Sequence, residues 1–140
     1  MKSILFLALI LCTLTSCDEK IFTGNVNCDE CYVEKPGNAD LVIDLTINNK
    51  FSAVPVTVYY GDAEDNRIVV IDTAYTTPYY LYVPVDRKYS VKAEYRTDKE
   101  VINAVDGTNL RVLSVTDACD VTCYVIENEK MDVRLKREFR

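Results

Sequence analysis

From Ala39 to Leu135 the chain alternates between apolar and polar residues with a period of two. Leu41, Ile43, Leu45 and Ile47 interleave with Val42, Asp44, Thr46 and Asn48, which puts the first set on one face of a strand and the second in solvent. Asn48-Asn49-Lys50 is a turn signal. Val54, Val56, Val58 and Tyr60 repeat the pattern, and Pro55 places this run at an edge or a strand start, because proline cannot donate to a ladder. After the polar Gly61–Asn66 connection comes Arg67–Thr73, whose Ile68-Val69-Val70-Ile71 core is continuously apolar. Tyr79–Val85 and the alternating Tyr89, Val91, Ala93 and Tyr95 follow, with Asp86-Arg87-Lys88 short enough to join them as a hairpin. Lys99–Val105 and Leu110–Val115 flank Asp106-Gly107-Thr108-Asn109, which reads as a second hairpin turn because Asp-Gly readily adopts positive φ. Cys123–Glu127, a turn at Asn128-Glu129-Lys130, and Met131, Val133 and Leu135 give two closing strands. No segment has the i, i+3, i+4, i+7 spacing of a helix.

This pattern predicts an all-β domain, an antiparallel β-sandwich of about seven strands. Its order resembles the transthyretin-like sandwiches that serve as accessory domains of exported carboxypeptidases, surface polysaccharide machinery and pilins. The residues carrying the likeness are Val54-Pro55-Val56-Thr57-Val58, Leu81-Tyr82-Val83-Pro84-Val85 and Tyr89-Ser90-Val91. The alternative is an immunoglobulin-like sandwich, whose Cys-Trp-Cys signature is absent.

Ahead of the alternating region, Lys2 precedes an apolar run from Ile4 to Leu14 that ends in Leu14-Thr15-Ser16-Cys17. A secretory leader needs a basic start, an apolar stretch of about 7–15 residues and small residues at the cut, whereas a membrane-spanning helix needs about 20 apolar residues. The motif resembles the lipobox of bacterial lipoprotein signal peptides, in which the cysteine is acylated and becomes the mature N-terminus. That resemblance implies a leader over 1–16, a lipidated Cys17 with a tether over 17–38, and the sandwich over 39–140. It also implies a cell-envelope protein held on a membrane by its N-terminal lipid (palmitate or a similar acyl chain), with the outer membrane as its expected site, on the periplasmic or surface face. Asp18-Glu19-Lys20 fits either a sorting signal or a solvated tether.

Without the leader, 15 basic residues stand against 22 acidic ones, a net charge of −7. This balance argues against nucleic acid, whose binding rests on phosphate neutralisation by Lys and Arg. The chain has no histidine, so the commonest general base and metal ligand is missing.

Setting aside Cys12 and Cys17 leaves Cys28, Cys31, Cys119 and Cys123. Three chemistries suit them. Two structural disulfides fit an even count in an oxidising compartment. A four-thiolate zinc site fits the paired spacing. A redox Cys-x-x-Cys is disfavoured because Asp29 and Glu30 would repel a thiolate. Closing a loop of about 90 residues restrains the unfolded chain by roughly 4–5 kcal/mol, against roughly 2 for a local ring. We therefore expect two bonds between the clusters, with no metal and no cofactor.

Tyr75, Tyr80 and Tyr82, in a tyrosine-rich set with Tyr59, Tyr60 and Tyr79, are the candidate binding surface. If they face water they would form an amphipathic platform for a protein or glycan partner; the competing role is cross-strand packing. Asp62, Glu64 and Asp65 lack the spacing of a calcium loop, and Asp117 and Asp120 read as solvated. Ser90 and Ser114 have no histidine to activate them and no nucleophile-elbow glycines. The expected function is a non-catalytic, lipid-tethered binding or accessory module. Alternatives are a pilin-like assembly subunit joined through an edge strand and, behind it, a thiol-disulfide redox protein.

Overall fold

The computed structural model describes residues 26–116 and 119–136. The leader, Cys17, the first part of the tether and Asp117 lie outside the described residues. Eight strands follow in order: β1 Asn38–Asp44, β2 Val54–Tyr60, β3 Ile68–Ala74, β4 Tyr79–Pro84, β5 Arg87–Arg96, β6 Val101–Val115, β7 Cys123–Glu127 and β8 Lys130–Asp132. The helical elements among the described residues are single 3-10 turns at Cys28–Glu30 and Ala63–Asp65. The strands form a smaller sheet, β4-β1-β8, and a larger one, β3-β2-β5-β6-β7. The fold is thus an all-β sandwich. Every pairing is antiparallel except β1 with β8, which is parallel.

The period-two pattern determines the core. Leu41 and Ile43 of β1, Val54, Val56 and Val58 of β2, and Tyr89, Val91, Ala93 and Tyr95 of β5 are buried together with Leu45, Leu110, Met131 and Val133. Two tyrosines in this core keep their hydroxyls satisfied, as buried phenols must. The Tyr95 hydroxyl donates to Val133 O at 2.8 Å and accepts from Thr46 N–H at 3.1 Å, tying the larger sheet to the common C-terminal end of β1 and β8 in the smaller one. The Tyr89 hydroxyl donates to Pro84 O at 2.6 Å, a bond back across the preceding bend of the kind called a tyrosine corner. Pro55 stands at the start of β2, before its ladder with β5 begins at Val56.

Two sequence expectations need correction. Asp86-Arg87-Lys88 does not close a hairpin, because β4 and β5 belong to different sheets. Asp86, at φ 56°, turns the chain from one layer into the other, and its carboxylate accepts the Val112 N–H at 3.0 Å. Nor is Asp106-Gly107-Thr108-Asn109 a turn. It lies within the part of β6 that pairs with the whole of β5, from Arg87 opposite Leu110 to Arg96 opposite Val101. The real turn is Thr97–Glu100, where Thr97 N–H donates to Glu100 O and the Thr97 hydroxyl accepts from Glu100 N–H. Gly107 provides room rather than a bend. It sits in one row with Ser90 and Tyr59 on the three neighbouring strands, and a Cβ there would come within 3.3 Å of Tyr89 O.

Candidate functional site

The cysteine clusters meet at the free side of β7. Cys28 is bonded to Cys119 and Cys31 to Cys123, with Cα–Cα separations of 5.8 and 5.6 Å, inside the range that a disulfide spans. Both bonds join one cluster to the other. The 3-10 turn at Cys28–Glu30 is capped by Asn27, whose side chain accepts the Asp29 N–H. Just beyond it, Tyr32 and Tyr124 exchange backbone hydrogen bonds, each 2.8 Å long. Further on, Lys35 pairs with Asp86 at 2.9 Å. The segment before β1 is therefore fastened over the last strand of the larger sheet. Among the described residues, the one side-chain group compact enough for a metal ion is Cys31, Cys119 and Cys123, with sulfurs within 4.8 Å of one another. Those sulfurs are committed to the disulfides.

The structure divides the tyrosine set. Tyr59 is buried, Tyr60 packs against the Tyr89 ring at 5.4 Å, and Tyr79 is half-buried. Tyr75, Tyr80 and Tyr82 are 69, 60 and 69% exposed, so cross-strand packing does not account for them. Tyr80 and Tyr82 occupy the solvent face of β4, opposite Val42 and Asp40 of β1. Their rings are separated by about 7 Å of strand. Asp40, Asp44, Lys130 and Asp132 complete the outer face of the smaller sheet. Tyr75 lies in the short link between β3 and β4.

The strands on either side of that link hold a pair that sequence reasoning missed. The Tyr79 hydroxyl donates to Asp72 Oδ2 at 2.7 Å, while Asp72 Oδ1 accepts the Thr73 N–H at 2.7 Å. These two bonds lower the Asp72 pKa. Burial, with the Asp72 carboxylate adding to it, pushes the Tyr79 phenol up to about 12. At the opposite side of the sandwich, Arg134 grips Asp132 through two guanidinium nitrogens, both at 2.8 Å, and holds that carboxyl at about 2. Asp106 accepts the Asp132 N–H at 2.7 Å. A groove of about 460 Å³ runs there between Ile102 and Ala104 on one side and Arg134 and Leu135 on the other.

The remaining candidates fall apart spatially. Asp62 is paired with Lys88 and Asp65 with Arg67, so these carboxylates face cations of the protein itself. Ser90 is 4% exposed, and its buried hydroxyl has no partner. Ser114 lies near the other end of the sandwich's longest strand, and Asp120 is exposed. Nothing brings either serine to a base. The fold and site together define a disulfide-clamped all-β sandwich that presents tyrosines on one edge. No protein-family model matches the chain, nor does any curated protein or solved structure.

Proposed function

We propose that this protein is a non-catalytic lipoprotein of a Gram-negative cell envelope, a sandwich held on the outer membrane by acylated Cys17 and acting as a binding module for a protein or glycan partner. The observation that carries this reading is the disposition of sulfur. The two inter-cluster disulfides use Cys28, Cys31, Cys119 and Cys123, and of the six cysteines only Cys12 and Cys17 are left over. Stable disulfides belong to an oxidising compartment outside the cytoplasm. Such a location gives the Lys2 and Ile4–Leu14 leader its purpose and leaves Cys17 available for lipid. Tyr75, Tyr80 and Tyr82 supply the contact surface, since exposed tyrosines offer apolar area and a hydroxyl at small entropic cost. We retain the transthyretin-like affinity for the sandwich. The parallel neighbour of β1 is the last strand of the chain, which departs from the antiparallel order of an immunoglobulin sheet.

The test is metabolic labelling of expressing cells with an alkyne-tagged fatty acid, read together with intact mass. The wild-type protein should carry the label and lack residues 1–16, and Cys17→Ser should lose the label. An unlabelled chain that retains its leader would refute the anchor.

A further inference from the structure

Among the described residues the sandwich has four sheet edges, and on three of them the chain's own atoms take some of the outward backbone groups. On β7, Tyr32 takes the free backbone groups of Tyr124, and two disulfides hold it there. On β8, the Asp106 carboxylate takes the Asp132 N–H, and the Thr108 hydroxyl takes Asn128 O just ahead of the strand. On β3, Asp72 takes the Thr73 N–H, and the ladder with β2 slips at Val58/Tyr59. Charges, irregularities and covering segments are how natural sheets block unwanted pairing.

β4 is different. Val42 N–H donates to Glu129 O, and Asp44 O accepts from Val133 N–H, so the even-numbered residues of β1 face β8 and the odd-numbered ones face β4. In the β1–β4 register the hydrogen-bonded pairs are then Ala39–Val83, Leu41–Leu81 and Ile43–Tyr79. Tyr80 and Tyr82 therefore point both N–H and C=O out of the sheet. The flanking outward positions are Pro78 and Pro84, which have no N–H, and Pro84 O is already taken by Tyr89. Residues 73–85 carry no charge in a chain that is 27% charged.

We propose that β4 pairs antiparallel with β4 of a second copy of this chain, about a two-fold axis at Leu81. The inference rests on Tyr80 and Tyr82 being the interaction surface and is independent of the lipid anchor. In this register Tyr80 of each copy faces Tyr82 of the other, and both exchange backbone hydrogen bonds. Pro78 faces Pro84, so the ladder ends where the donors end. The tyrosine rings meet in cross-strand pairs on the outer face, and half-buried Leu81 meets its equivalent on the inner one. A molecule of net charge −6 repels its copy least along an uncharged edge. Because the pairing is isologous and uses up the β4 edge of both copies, it makes a closed two-fold dimer rather than a fibre. Six residues of strand and two rings per copy cover several hundred Å², below the ~1,200 Å² of stable interfaces, so the dimer is weak in solution and favoured by confinement on a membrane.

The test is sedimentation equilibrium of the purified full-length protein in density-matched detergent, across micromolar to millimolar concentrations, whether or not it carries lipid. Wild type should pass from monomer to dimer. The double variants Tyr80→Lys/Tyr82→Lys and Tyr80→Glu/Tyr82→Glu should each dimerise at least tenfold more weakly, and their equimolar mixture should recover association. Tyr82→Pro, which removes an N–H that its own sheet does not use, should also weaken the dimer while leaving the melting temperature within a few degrees. Monomer at every concentration, association unchanged in the lysine variant, or growth beyond the dimer would overturn the pairing. The fatty-acid labelling result stands or falls separately.

Discussion

Removing the two disulfides one at a time should cost far less than their loop lengths suggest, and removing both should cost far more than either alone. The bonds span sequence separations of 91 and 92 residues. Taken singly, each restrains the unfolded chain by about 4.6 kcal/mol in the chain-entropy treatment. They are nearly parallel staples, however. With one in place, the other closes only the ring made by residues 28–31 and 119–123, about nine residues, which is worth about 2.5 kcal/mol. Cys28→Ala/Cys119→Ala should therefore lose about 2.5 kcal/mol, near 10 °C in melting temperature for a chain this size. Cys31→Ala/Cys123→Ala should lose about 1 kcal/mol more, because Cys123 is buried and its missing sulfur leaves a small void. The fourfold variant should lose about 7–8 kcal/mol, most of the stability of an ordinary domain. Urea unfolding of the three variants measures these differences. Hydrogen exchange at Tyr124, whose amide is bonded to Tyr32, should stay slow in either double variant and become fast in the fourfold one. If each pair costs 4–5 kcal/mol and the costs simply add, the parallel-staple reasoning is wrong.

Two further outcomes follow from the buried phenols. Tyr95→Phe strips a donor from Val133 O and an acceptor from Thr46 N–H, leaving backbone groups unpaired inside, and should cost about 2 kcal/mol; an unchanged urea midpoint would contradict this. Tyr89 is pushed up to about 12, chiefly by burial, as is Tyr79. A raised pKa means the folded state holds its proton where the unfolded chain, titrating near 10, has released it. Their contribution is thus complete below about pH 10 and is lost as pH rises through about 12. Denaturation curves from pH 8 to 12 should show stability falling, less steeply in Tyr89→Phe, and a flat profile would contradict the assignment.

How much of this was legible in the sequence depends on what alternation encodes. A period of two tells which residues share a face, and it placed Leu41, Ile43, Val56, Val58, Tyr89, Val91 and Tyr95 inside correctly. It does not tell which strand lies alongside. Tyr79–Pro84 and Arg87–Arg96 read as a hairpin although Asp86 sends them into different sheets. The Asp-Gly pair at 106–107 misled for a related reason: glycine signals either a bend or a shortage of space, and the shortage comes from residues on two other strands. Parity separated Tyr80 and Tyr82 from Tyr79 and Leu81. Only the three-stranded width of the smaller sheet, with β4 at its border, reveals that these two rings stay exposed. Loop entropy pointed to bonds between the cysteine clusters, but the choice of Cys28 with Cys119 needed the 3-10 turn that orients them.

The clamp and the open edge explain one another. β1 begins at Asn38, opposite Pro84 of β4, so a tether that simply ran into β1 would leave the domain beside the proposed pairing edge. The disulfides move that exit point. They hold Cys28 and Cys31 against the turn before β7 and its first residue, and β7 and β3 are opposite borders of the larger sheet. Four inter-strand spacings separate those borders, about 19 Å. The described part of the tether thus runs from the β7 border to the start of β1, while the junction of β3 and β4 carries Tyr75 and the Tyr79–Asp72 bond. On a molecule anchored as proposed, the described part of the tether leaves Tyr80 and Tyr82 uncovered.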